Sequence, residues 1–77
     1  MIKVLLFAHL QEEIGKTELQ IESEGMTVEE LKNWMSSHYS VSHLDKAMTA
    51  INEQYATDVD SIQTGDVVAF IPPVSGG

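Results

Sequence analysis

The segment FIPPVSGG, Phe70 to Gly77, holds the residues of this chain whose types and order best suit chemistry. Pro72 and Pro73 favour an extended, preordered backbone, so less freedom is lost when a partner receives it. Gly76 and Gly77 carry no side chain, which lets the backbone pass down a narrow channel and leaves a carboxyl on Gly77 sterically open. A carboxylate is a poor electrophile, because attack on it displaces oxide. Converted to an acyl adenylate by a partner using ATP, it gains a good leaving group. A sulfur donor could then leave a thiocarboxylate, or an amine an amide. From Pro72 through Pro73, Val74, Ser75 and Gly76 to Gly77 the extended backbone reaches at most ~20 Å. The competing reading is a frayed end without a role.

Other chemistry finds less support. His9, His38 and His43 match no standard metal spacing, and the chain has no cysteine, so no metal site is expected. Glu12 and Glu13, or Asp58 and Asp60, read as solvated faces rather than as an acid and base pair. No glycine-rich loop follows a strand and opens a helix, so no nucleotide cradle is expected. The chain is expected to bind no cofactor of its own and not to be an enzyme alone.

Seventy-seven residues make one small domain, which buries only about 60% of its unfolded surface and must rest on packing. Twelve acidic residues against four basic ones give a formal net charge of -8, which disfavours nucleic acid and anionic membrane as partners. No apolar run approaches the ~20 residues that span a bilayer. The first apolar run meets Gln11, Glu12 and Glu13 without a small-residue cleavage site, so the cytoplasm is the expected compartment.

The elements that must position the tail follow from periodicity. Ile2 to Phe7 is a nearly continuous apolar strand, with Lys3, Leu5 and Phe7 on one side and Ile2, Val4 and Leu6 on the other. The Lys3 side is expected to face outward. His9 to Ile14 suits a short helix stopped by Gly15, and Thr17, Leu19 and Ile21 alternate as a second strand. Thr27 with Glu30 forms a capping box, and Met26 with Leu31 a hydrophobic staple. Val28, Leu31, Trp34 or Met35, and His38 then recur on one helical face. Ser40 to Lys46 reads as a loop with one helical turn. MTAINEQYAT reads as two short strands around Asn52 and Glu53, and DVDSIQTGD as a connector turning at Gly65 and Asp66. Val67 to Ile71 makes a last strand, ended by prolines that cannot donate to a ladder. Its parity is open, since Val68 and Phe70 are as apolar as Val67 and Ile71.

This order predicts an α+β domain over residues 1–71 with one sheet face covered by a helix, the first and last strands central and parallel, and an extended tail over 72–77. The uncovered face carries Leu5 and Phe7, an apolar surplus that marks an interaction site.

MIKVLLFA, TVEEL, AINEQYA and above all TGDVVAFIPPVSGG resemble, over essentially the full length, the small sulfur-carrier subunit of molybdopterin synthase, a ubiquitin-like β-grasp family. The resemblance implies that Gly77 is adenylated by an ATP-dependent, ubiquitin-activating-like enzyme and converted to a thiocarboxylate. It implies that the tail then enters the large subunit of a heterotetrameric synthase, where sulfur passes to cyclic pyranopterin monophosphate and where the catalytic residues lie. It also places partner contacts on Phe7, Tyr55 and Ile71. A thiamine-pathway sulfur carrier, or a ubiquitin-like modifier joined to lysines, is the alternative that shares the same activated carboxyl.

Overall fold

Burial alternates residue by residue along β1 (Ile2–Leu6): Ile2, Val4 and Leu6 are buried, whereas Lys3 is exposed and Leu5 half-buried. That is the period of two expected where one sheet face meets a core. The computed structural model describes residues 1–39, 41 and 44–72. After β1 follow α1 (His9–Ile14), β2 (Glu18–Ile21), β3 (Gly25–Thr27), α2 (Val28–His38), a 3-10 turn at Leu44–Lys46, β4 (Met48–Ile51), β5 (Gln54–Ala56), β6 (Ser61–Gln63) and β7 (Val67–Ile71).

The main sheet has the order β2-β1-β7-β4-β5. β1 and β7 run parallel, with Val4 opposite Val68 and Leu6 opposite Phe70, and the other neighbours are antiparallel. The two most apolar strands thus lie side by side with a neighbour on each outer edge, as strands with little tolerance for water must. β1 stops one residue short of Phe7, whose carbonyl accepts the Leu10 N–H at 3.1 Å. The backbone of Phe7 therefore belongs to the entrance of α1.

Gly15 ends α1 with φ 83°, donating its N–H to the Gln11 carbonyl at 2.7 Å. Glycine adopts this left-handed conformation with the least backbone strain. The Gln11 side chain donates to the Leu6 carbonyl at 2.7 Å, tying the helix to the strand before it. The capping box of α2 is complete: the Glu30 N–H donates to Thr27 Oγ1 at 3.1 Å, and the Thr27 N–H donates to Glu30 Oε1 at 2.8 Å. Leu31 is fully buried and Met26 packs against the same core cluster, which is where the staple belongs.

Val28, Leu31 and Met35 form the buried stripe of α2, joined in the core by Phe70, Ile2, Leu10 and Ile62. Two expectations need correction. His38 is not on the packed face; it is exposed, and its ring stacks on Trp34 with centroids 4.1 Å apart. At about 3.6 residues per turn, positions 34 and 38 fall on the flank of the stripe centred by 28, 31 and 35. Trp34 is accordingly half-buried at the core edge. The second correction concerns DVDSIQTGD, which contains β6. That strand pairs antiparallel with β3, Met26 opposite Ile62, and Ile62 is fully buried. A three-residue strand with one apolar position has no periodicity to read. The turn within 40–46 buries Leu44, while Ser40, Ser42 and His43 lie outside the described residues.

Candidate functional site

The face of the main sheet away from α2 is built by cross-strand register. One row runs across four strands, Leu5 opposite Ala69, Ala69 opposite Ala50, Ala50 opposite Tyr55. Two small residues between two large ones leave a depression, because directly opposed positions share a face. The result is a groove of about 610 Å³ with an alanine floor. Phe7, Tyr55 and Ile71, the three residues expected to meet a partner, all line it. Tyr55 is 74% exposed and Phe7 42% exposed, large values for aromatic residues, and Ile71 is half-buried. Ala50 and Ala69 were not singled out by sequence reasoning. Their signal is small size at register-matched positions, which appears only once pairing is known.

The parity left open at β7 is resolved. Val68 and Phe70 are fully buried, and Val67, Ala69 and Ile71 face the groove. Met48, 47% exposed, pairs with Ile71 at the end where the chain leaves the sheet. Pro72 follows, half-buried and outside the strand. Pro73, Val74, Ser75, Gly76 and Gly77 lie outside the described residues, as does the carboxyl assigned to Gly77.

The opposite end of the groove is closed by the turn at Asn52 and Glu53, with φ 50° and 72°. Positive φ at both central residues matches the turn to the twist of a two-residue hairpin. The Asn52 side chain donates to Asp66 Oδ1 at 2.9 Å and accepts the Val67 N–H through Oδ1 at 3.0 Å. The Gln63 N–H donates to Asp66 Oδ2 at 2.8 Å. One carboxylate thereby joins the β4–β5 hairpin to the turn before β7.

These bonds favour the charged form. The Gln63 backbone N–H, and after it the Asn52 amide, hold the Asp66 carboxyl below the usual carboxylate range. A carboxyl whose native value is depressed contributes stability above its unfolded value, near 4, and loses that contribution as pH falls through the lower native value. Asp66→Asn is therefore expected to melt below the parent at neutral pH, with the gap closing in acid. Thermal melts across pH check this, and a gap that stays constant below pH ~3 would show that the charge does not carry the link.

Among the described residues no group of three or more histidine, aspartate or glutamate side chains could hold a metal ion. No helix there is long and apolar enough to cross a membrane.

A mixed sheet clasping one main helix on one face, with an open apolar groove on the other and the last strand central, defines a ubiquitin-like β-grasp protein. The chain belongs to the ThiS family, which it matches over residues 4–77. It is 36% identical to the molybdopterin synthase sulfur carrier subunit of Escherichia coli K12, over 81 aligned positions that cover all of both chains. Among solved structures, SAMP1 from Haloferax volcanii superposes with a TM-score of 0.84 at 24% identity, covering 99% of this chain and 98% of that one. A chain in the complex of subunits 1 and 2 of the molybdopterin-converting factor from Helicobacter pylori superposes with a TM-score of 0.70 at 22% identity, covering 99% and 97%. At these identities the two structures speak for the fold.

Proposed function

We propose that this protein is a sulfur carrier in molybdenum cofactor biosynthesis, with the main-chain carboxyl of Gly77 as the carrying group. The observation that carries the reading is the 36% identity, end to end on both chains, with a molybdopterin synthase sulfur carrier subunit. The fold supports it physically. β7 is locked between β1 and β4, so the chain leaves the sheet from a rigid central strand, and the groove lies on the face beside that exit.

In the proposed cycle an adenylating enzyme joins the Gly77 carboxylate to the α-phosphate of ATP, releasing pyrophosphate. A hydrosulfide-equivalent nucleophile attacks the acyl carbon and expels AMP, leaving a thiocarboxylate with sulfur in place of one oxygen. The groove, through Phe7, Tyr55 and Ile71, docks the large synthase subunit, and Pro72, Pro73, Val74, Ser75 and Gly76 deliver the thiocarboxylate to cyclic pyranopterin monophosphate. Sulfur moves to the pterin, water restores the carboxylate, and the catalytic side chains belong to the large subunit.

Intact-mass measurement tests this. After incubation with the adenylating enzyme, ATP and a sulfur source, the protein is expected to gain one sulfur and lose one oxygen. The loaded protein mixed with the large subunit is then expected to give molybdopterin from the cyclic precursor. An unchanged mass would overturn the carrier role. A loaded protein that transfers no sulfur to the pterin would point to the thiamine pathway or to protein modification.

A further inference from the structure

We propose that Glu53 is a docking determinant: it receives a lysine or arginine of the protein seated on the groove, and so fixes the direction in which the tail leaves. The inference rests on the docking reading above, and it begins from a side chain the fold does not use. Glu53 stands at φ 72°, in the left-handed region that glycine or asparagine occupies with least strain. Its neighbour Asn52 spends its side chain holding the turn to Asp66 and Val67, and its N–H donates to the Val67 carbonyl at 2.8 Å. Glu53 makes no hydrogen bond or ion pair among the described residues. Nevertheless it is exposed and lines the groove together with Tyr55 and Val67.

Among the described residues that line the groove Glu53 is the one acid, and two acids beside the groove are already engaged. Both Asp66 oxygens accept hydrogen bonds, and Glu18 lies 3.8 Å from Lys3. Glu53 is thus an open carboxylate at the rim of an apolar depression, carried on a turn that is anchored at several points. Such a rim charge adds little to affinity by area but selects a partner and steers its approach.

Position gives the charge its purpose. Val67, beside the turn, begins β7, and Ile71 ends it at the exit of the tail. Four residue steps at ~3.3 Å place these ends about 13 Å apart. An apolar groove attracts without direction. A cation held at one end leaves only one orientation in which the tail, at the other end, meets a channel. The occupant is therefore a protein with a lysine or arginine at the end of the groove away from the channel that takes the tail. The large synthase subunit is the partner the proposed function supplies. A second copy of this chain is disfavoured, since each carries a formal charge of -8.

The test measures association of the full-length protein with the large subunit of molybdopterin synthase from the same organism, at about 50 mM and about 500 mM salt. Glu53→Gln is expected to slow association about 2- to 5-fold at low salt, and Glu53→Lys about 10-fold or more, with both gaps closing at high salt. Glu53→Gly relieves the backbone, so it is expected to melt no lower than the parent yet to associate as slowly as Glu53→Gln. Phe7→Ala serves as the control for the groove. If Phe7→Ala weakens binding while Glu53→Lys associates like the parent, or if its deficit persists at high salt, the role of Glu53 is overturned. If the parent does not bind, or Phe7→Ala binds unchanged, the docking reading itself fails, and the proposal for Glu53 with it.

Discussion

Deleting Gly77 is expected to abolish sulfur delivery while leaving the domain folded. The chemistry is assigned to a main-chain carboxyl and to no side chain, so no other group can substitute for it. Deletion moves the carboxyl to Gly76 and shortens the reach by up to ~3.5 Å. Reacting atoms must approach to about 3–3.5 Å, so a shift of that size removes the thiocarboxylate from its acceptor. Adding one residue after Gly77 is expected to have the same effect, because the carboxyl is displaced and the new side chain must pass the channel. Among the described residues the buried core runs from Ile2 to Phe70, so melting temperature and groove-mediated binding are expected to hold. Single-turnover assays with the large subunit measure the outcome, and a truncated protein that still delivers sulfur at the parent rate would sink the carrier assignment.

Phe70→Ala is expected to be the most damaging single substitution in the sheet. Phe70 is fully buried at the centre of the core, opposite Leu6 on one neighbouring strand and Thr49 on the other. Truncating a buried phenylalanine costs about 3–5 kcal/mol, from lost transfer energy and the cavity left behind. A domain of 77 residues holds roughly 4–12 kcal/mol in total. The variant is therefore expected to melt more than about 10 °C lower, or not to fold at all. Ile71→Ala, one residue on, makes the contrast. Ile71 lines the groove rather than the core, so this change is expected to weaken docking and to leave the melt within a few degrees, roughly what a partly exposed side chain contributes. If Ile71→Ala collapses the fold and Phe70→Ala does not, the parity of β7 is reversed.

The proposed carrier tail and the proposed docking face differ in how far each could be read in advance. The chemistry proposed for FIPPVSGG rests on sequence alone, because prolines, glycines and a carboxyl act through local covalent structure. Phe7 on the outer face also followed from alternation along β1 and the presence of Lys3 beside it. The groove did not, since its floor depends on Ala50 and Ala69 facing each other across two strands far apart in the chain. The same holds for Glu53. Sequence marked it as a turn residue, but only the placement of that turn beside Val67 brings its carboxylate to the groove.

What the sequence by itself determined was local: the capping box at Thr27 and Glu30, the glycine stop at Gly15, the hairpin turn at Asn52 and Glu53, and the bounds of β7. Each rests on contacts within a few residues, or on the side-chain period of one element, and these are present in the chain before it folds. The tertiary structure decided the rest. It turned Phe70 rather than Ile71 into the core, made a strand of Ser61–Gln63 by pairing it with Gly25–Thr27, and joined Asn52 to Asp66. A five-residue strand apolar at every position has no preferred face of its own. Its facing is set by the volumes and register of the strands and helix that close around it, and that information is spread over the whole chain.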